Sequence, residues 1–170
     1  MSGDSAPLIV SALFAGEEQA WLDKLRRAHF LPERNQLPAH LTLFHHLAPS
    51  LEAELKHRLA MATRGEAAPQ AEAAGIVNLG GGTAIRIVSP GLEAIRDEIA
   101  ESFRGMLTPQ DAAGWRPHVT IQNKVTADAA RRLQRELEAG LWPMPVRVAG
   151  LAVWRYRGGP WEPASRHMFG

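Results

Sequence analysis

Residues 38–47 read Pro-Ala-His-Leu-Thr-Leu-Phe-His-His-Leu, and residues 117–125 read Pro-His-Val-Thr-Ile-Gln-Asn-Lys-Val. Both stretches hold the pattern His-x-Thr-apolar with an apolar residue at x: His40-Leu41-Thr42-Leu43 and His118-Val119-Thr120-Ile121. Side chains along a strand alternate between its two faces. Leu41 and Leu43 can therefore pack under a helix while His40 and Thr42 stand together on the open face, and Val119 and Ile121 do the same for His118 and Thr120. An imidazole and a hydroxyl two residues apart are separated by ~6.5 Å along the strand, which suits two contacts on one phosphate-sized group.

Outward from each motif the chain repeats itself. Period-2 patterning predicts a strand over residues 8–14, and Trp21, Leu22, Leu25 and Ala28 mark one face of a helix over 17–28. A proline-bearing loop (32–38) leads into a strand over 40–47; Ser50 then serves as N-cap for a helix to about Met61 with Leu51, Leu55 and Leu59 on one stripe. The same order returns as a strand over 83–88, a helix from Pro90 to about Met106 carrying Leu92, Ile95, Ile99 and Phe103, a strand over 115–125, and a helix to about Ala139 capped by Thr126. Gly80-Gly81-Gly82 turns a hairpin between 71–79 and 83–88; residues 145–156 form a closing strand, and 158–169 an irregular tail. This predicts an α+β fold: one bilobal domain over 1–170, built from duplicated βαβα halves (8–63 and 71–157). Two mainly antiparallel sheets face a central groove, with the helices outside.

Composition narrows the function classes. The 170 residues, 45% hydrophobic and 22% charged, can enclose one sizeable core. No apolar run approaches the ~20 residues of a membrane span, and the opening seven residues lack the basic cluster of a signal peptide, so a cytoplasmic setting is expected. The absence of cysteine excludes a disulfide framework, a thiolate nucleophile and a cysteine zinc site. A net charge of +1 argues against a grip on long duplex nucleic acid. Residues 86–170 carry 12 Lys/Arg against 9 Asp/Glu, whereas residues 1–85 carry 7 against 9. That bias suits a small anionic ligand facing the second half, or is a chance distribution on solvated helix faces.

A His-x-Thr on one strand is ordinarily structural; two at matched places in a repeat point to chemistry. Breaking a phosphodiester requires one group to deprotonate the incoming nucleophile and another to protonate the leaving oxygen. An imidazole with a pKa near ~6.5 can do either at neutral pH. The threonine hydroxyls can donate to the non-bridging oxygens. Neither metal nor cofactor is called for. Three imidazoles (His40, His46 and His118) are the alternative as a zinc site, but that reading leaves both threonines unexplained. The glycine run lacks the lysine and following helix of a phosphate loop. Alternation places Phe44 and His46 beside His40, Phe44 either stacking on a base or lining the groove floor. Lys124 is either a groove cation or a solvated strand end. Arg155 and Tyr156, within Trp154-Arg155-Tyr156-Arg157, either clamp a nucleotide or decorate an edge strand.

These two motifs, with the strands over 8–14, 40–47, 117–125 and 145–156, make the chain resemble the 2H phosphoesterase superfamily. The similar branch holds the 2'-5' RNA ligases, also called RNA 2',3'-cyclic phosphodiesterases. The resemblance implies that His40 and His118 are the acid/base pair and that Thr42 and Thr120 bind the phosphate. It implies metal-free opening of cyclic phosphates on RNA ends or nucleotides, with reversible 2'-5' ligation, and a monomer whose partner is a nucleotide or RNA terminus. Phe44, His46, Lys124, Arg155 and Tyr156 are the candidate substrate-binding residues. Two departures stand out. The arginine that branch often carries after the second histidine is missing from Gln122-Asn123-Lys124, and Phe44-His45-His46 replaces apolar residues. The competing expectation is a non-catalytic nucleotide or RNA-end binding module using the same groove.

Overall fold

The computed structural model describes residues 5–140 and 142–170; Met1–Asp4 of the opening segment lies outside the described residues. The strands are β1 (Leu8–Phe14), β2 (Leu41–Leu47), β3 (Gln70–Asn78), β4 (Thr83–Val88), β5 (His118–Gln122), β6 (Met144–Arg155) and β7 (Glu162–Met168). The helices are α1 (Gly16–His29), α2 (Glu52–Thr63), α3 (Pro90–Ser102), the single turn α4 (Pro109–Ala112) and α5 (Ala127–Glu138). The elements run β1-α1-β2-α2 in the first part of the chain and, after β3, β4-α3-α4-β5-α5 in the second.

The expected two facing sheets are one hydrogen-bonded ring. Strand order runs β1-β2-β5-β4-β3-β6, and β6 pairs back onto β1; β7 attaches to β6 as a seventh strand. All pairings are antiparallel. Closure rests on the length of β6. Its start pairs with β3 (Ala73↔Met144 to Gln70↔Arg147), and Val148–Arg155 pairs with β1. One 12-residue strand thus serves both halves, and pattern reading, which treats each strand singly, does not see that. β7 replaces the expected irregular tail. Its sequence, Glu-Pro-Ala-Ser-Arg-His-Met, lacks a run of β-branched residues, and it is held by pairing to β6 from Arg155↔Glu162 to Gly150↔Met168.

One apolar cluster backs the ring. Leu41, Leu43, Val119, Ile121, Ile85 and Ile87 from the strands meet Leu22 of α1, Leu55 and Leu59 of α2, Leu92 and Ile99 of α3 and Leu133 of α5. Burying a leucine or isoleucine side chain contributes about 1.5–3 kcal/mol. Helix starts differ from expectation in one place. Ser50 lies inside a 3₁₀ turn (Pro49–Leu51), and α2 starts with no side-chain cap. Thr126 caps α5 through the Ala129 N–H, and Ser89 caps α3 through the Leu92 N–H. α3 ends at Ser102, short of Met106. The glycine turn is required where it stands: Gly80 has φ +83°, and a Cβ on Gly82 would overlap the Gln122 carbonyl oxygen.

Candidate active site

The two motifs meet at the narrowest seam of the ring. β2 and β5 share one ladder position, Leu41↔Val119, both fully buried. Continuing that antiparallel register by one residue each way sets His40 opposite Thr120 and Thr42 opposite His118. All four are half-buried and share the face away from the helices. Diagonal cross-strand neighbours lie roughly 7–8 Å apart, so the imidazoles flank a phosphate-sized space with a hydroxyl beside each.

Each imidazole is oriented the same way. Nδ1 of His40 lies 2.9 Å from the Pro38 carbonyl and Nδ1 of His118 lies 2.7 Å from the Arg116 carbonyl, in both cases two residues back. With Nδ1–H donating to that oxygen, Nε2 is left to take or give a proton. The peptide before His40 is pinned by α1: the Ala39 N–H donates to Asp23 Oδ1 (2.7 Å), and Gln19 Nε2 donates to the Ala39 carbonyl (2.8 Å).

Beyond the shared pair the strands part, and side chains complete the seam. Ser11↔Thr42 is followed by Val10↔Phe44, so β2 bulges at Leu43; Ala84↔Thr120 is followed by Thr83↔Gln122, so β5 bulges at Ile121. A bulge removes a residue from the ladder. Arg96 of α3 donates to the Leu43 carbonyl (3.1 Å), Arg26 of α1 to the Thr120 carbonyl (2.9 Å), and the Trp115 indole to the Thr42 carbonyl (2.9 Å). Each half thus sends a buried arginine to the other half's motif strand. Both guanidiniums lie over aromatic faces, Arg26 over Phe30 at 3.8 Å and Arg96 over Phe44 at 4.5 Å. Sequence reading missed both, because an arginine inside an amphipathic helix reads as solvated; Arg26 is buried where the expected stripe put Ala28, which is exposed.

The bulges also correct the expected substrate face. Alternation beyond Leu43 predicts Phe44 in the groove; the extra residue turns it into the core, fully buried. The same device in β5 buries Gln122, which accepts a hydrogen bond from Thr83 (2.8 Å). A second irregularity, between Leu8↔Leu47 and Val10↔Phe44, leaves His45 and His46 both exposed. Their amides donate to the buried Asp111 carboxylate at 2.8 and 2.9 Å. Burial raises the pKa of Asp111, but the His45 ring and these two N–H groups outweigh it and hold the carboxyl below its ordinary value.

Of the other expected binding residues, Lys124 lies beyond the end of β5, exposed, with φ +59°. Arg155 is drawn to the opposite face, where Nη2 lies 2.7 Å from Glu52 of α2. Its expected place in a groove clamp is thereby corrected: position 155 points toward the helix. Tyr156 is exposed past the end of β6, its N–H donating to the Pro7 carbonyl. The aromatic neighbour of the site is instead Trp161, which precedes β7 in the stretch expected to be irregular. Its ring stands edge-on to His40 at 4.6 Å and 6.1 Å from Trp154, whose indole donates to Ser11 Oγ at 2.8 Å. Burial drives the His40 pKa down to about 4; its bond to the Pro38 carbonyl opposes this, and the nearby charges of Arg26, His45 and His118 add to the lowering. Among the described residues, no three His, Asp or Glu side chains gather at a metal-sized point, and no helix is long and apolar enough to cross a membrane.

The sequence profile of the 2'-5' RNA ligase superfamily matches residues 14–160, taking in both motifs and the seam between them. The chain belongs to this superfamily. No curated protein sequence matches it. Among solved structures, this superfamily member is similar to TT0787 of Thermus thermophilus, with 15% identity, 96% of this chain and 97% of that one covered, and a TM-score of 0.67. It is similar also to E. coli LigT complexed with 3'-AMP, at 16% identity, 98% and 99% coverage and a TM-score of 0.62. A phosphoesterase matches at 17% identity, 96% and 98% coverage and a TM-score of 0.57. At such identities the shared property is the fold, and membership itself points to phosphoesterase or RNA-ligase-type activity.

Proposed function

We propose that this superfamily member is a metal-independent phosphodiesterase that opens 2',3'-cyclic phosphates, or related phosphodiesters at RNA ends and on nucleotides, by two-histidine acid/base catalysis. The observation that carries this reading is the Leu41↔Val119 register, which sets two His/Thr pairs diagonally on one open face with both Nδ1 atoms tied to backbone carbonyls. The phosphate sits between the imidazoles, and the Thr42 and Thr120 hydroxyls donate to its non-bridging oxygens as charge builds there. Water attacks phosphorus and the bond to one ribose oxygen breaks. One Nε2 takes the proton from water, and the other imidazolium gives a proton to the departing oxygen. His40, held neutral down to about pH 4, is suited to the accepting role, which leaves the donating role to His118. With a 5'-hydroxyl of a second chain in place of water, the same step forms the bond from that oxygen to phosphorus, breaks the bond to the 3' oxygen, which takes the proton from the imidazolium, and leaves a 2'-5' linkage.

That E. coli LigT has been crystallised with 3'-AMP and, at a TM-score of 0.60, with NADP+ supports a nucleotide-sized occupant for this groove. The deciding assay uses 2',3'-cyclic nucleotides, 2'-5'-linked dinucleotides and cyclic-phosphate-ended RNA in EDTA, with His40→Ala and His118→Ala beside the parent chain. Turnover should survive chelation and fall by at least ~10²-fold in each variant. Turnover abolished by EDTA, or kept in both variants, would sink the mechanism; tight binding with no turnover by the parent chain would make the groove a binding module.

A further inference from the structure

The pseudo-twofold relation between the motifs breaks in one respect. Ser11↔Thr42 in the first half matches Ala84↔Thr120 in the second. The residue opposite His118 is Arg86, whereas the same step along β1 reaches Leu13. Two residues before His118 stands Arg116; two before His40 stands Pro38. Arg86, Arg116 and His118 line one cleft of about 770 Å³ together with Val88, Glu93 and Trp115. His40, Thr42 and Thr120 are not among its lining residues, so the cleft begins at the second histidine and runs away from the reacting position.

Both guanidiniums are exposed, and among the described residues neither is held by a carboxylate or a carbonyl. Four arginines elsewhere are held by the fold, Arg26 and Arg96 on carbonyls, Arg147 on Glu18 and Arg155 on Glu52; what sets Arg86 and Arg116 apart from the remaining exposed arginines is their place in the cleft beside His118. Glu93 offsets one of the two cleft cations, which leaves the cleft positive. On the His40 side the corresponding wall is aromatic, formed by Trp161 and Trp154. A substrate with one phosphate is served by the His/Thr pairs alone. Two unspent cations beside one imidazole suit a second phosphate, one nucleotide along a chain.

We propose that Arg86 and Arg116 form a subsite for the phosphodiester adjacent to the reacting one, directing the enzyme to oligonucleotide ends over mononucleotides. This rests on the two-histidine reading for the placement of the reacting phosphate.

The test compares kcat/KM on a 2',3'-cyclic mononucleotide with that on a dinucleotide ending in the same cyclic phosphate, for the parent chain, Arg86→Ala, Arg116→Ala and Arg86→Lys. The dinucleotide should be preferred by the parent. Arg86→Ala should lose about tenfold on it, a charge-assisted contact, chiefly through KM. The loss on the mononucleotide should be at least fivefold smaller, and Arg86→Lys should recover part of the difference. For each phosphate no longer neutralised, the slope of log(kcat/KM) against log[KCl] should flatten by about 0.7. Equal losses on both substrates, which would put Arg86 on the reacting phosphate, or no loss on either, would overturn the subsite. If the parent turns over neither substrate, the two-histidine reading fails separately. Calorimetry with a 3'-phosphorylated dinucleotide against a 3'-mononucleotide then decides the subsite: a dinucleotide preference abolished by Arg86→Ala upholds it, and no preference refutes it.

Discussion

Replacing Trp161 with alanine probes how the fold sets the protonation of His40. The indole lies edge-on to the imidazole at 4.6 Å and covers it from the β7 side. Burial is the largest cause of a pKa near 4 against an ordinary 6.5, a gap worth about 3 kcal/mol between the two protonation states. Trp161 supplies part of that cover, with β2 and the Pro38 carbonyl remaining, so Trp161→Ala should move the midpoint upward by ~1–2 pH units. The sign for stability follows from a folded value below the unfolded one. Neutral His40 contributes fully above about 6.5, and that contribution is lost as pH falls toward 4. In the variant the loss is smaller, so the two chains should differ less in stability at about pH 4.5 than at about pH 7. The acid limb of kcat/KM, set by protonation of the base, should move with the midpoint. The direct assay is NMR titration of the His40 ring protons in both chains, assigned with His40→Ala. A parent midpoint near ~6.5, or an identical midpoint in the variant, would refute the argument that burial beneath Trp161 keeps this imidazole neutral.

The remaining predictions concern what holds the seam. Asp111→Asn leaves one acceptor oxygen for two amides and should cost ~1–3 kcal/mol in urea unfolding; because the Asp111 pKa is lowered, it should also remove stability that the parent keeps above the ordinary carboxylate range and loses on acidification below it. Phe44→Ala should lower stability by ~3–5 kcal/mol, with KM for folded protein nearly unchanged; a large KM effect with little destabilisation would restore Phe44 to the groove. Arg96→Met strands the Leu43 carbonyl in the core and should cost ~1–3 kcal/mol, with kcat falling more than KM rises, since β2 rather than the substrate loses its support.

Local pattern was enough to read the strands that bring the two His/Thr pairs together. The pairs His40/Thr42 and His118/Thr120 share a face because strand alternation is geometric and each is flanked by apolar residues that must be buried; the repeat of strand, helix and motif located both. Alternation failed one step later, and for the same reason in both strands: the bulges at Leu43 and Ile121 shift the following residue inward. No local preference in Leu-Phe or Ile-Gln announces a bulge, which is set by the neighbouring strand's register and by the arginine that takes the released carbonyl. Ring closure was unreadable for a related reason, since β6 divides its hydrogen bonds between β3 and β1 and a strand's own sequence does not count its partners. Trp161 went unremarked because it lies beside Gly158, Gly159 and Pro160, turn residues that hide the strand after them. Charge bears on the proposed subsite as well. The basic bias of residues 86–170 includes Arg86 and Arg116, and the fold spends neither on a carboxylate among the described residues. A fold that buries arginines at 26 and 96 while leaving these two open beside His118 separates its structural cations from those available to an anion. On the subsite proposed above, the space between the imidazoles becomes one end of a longer path for an anionic chain.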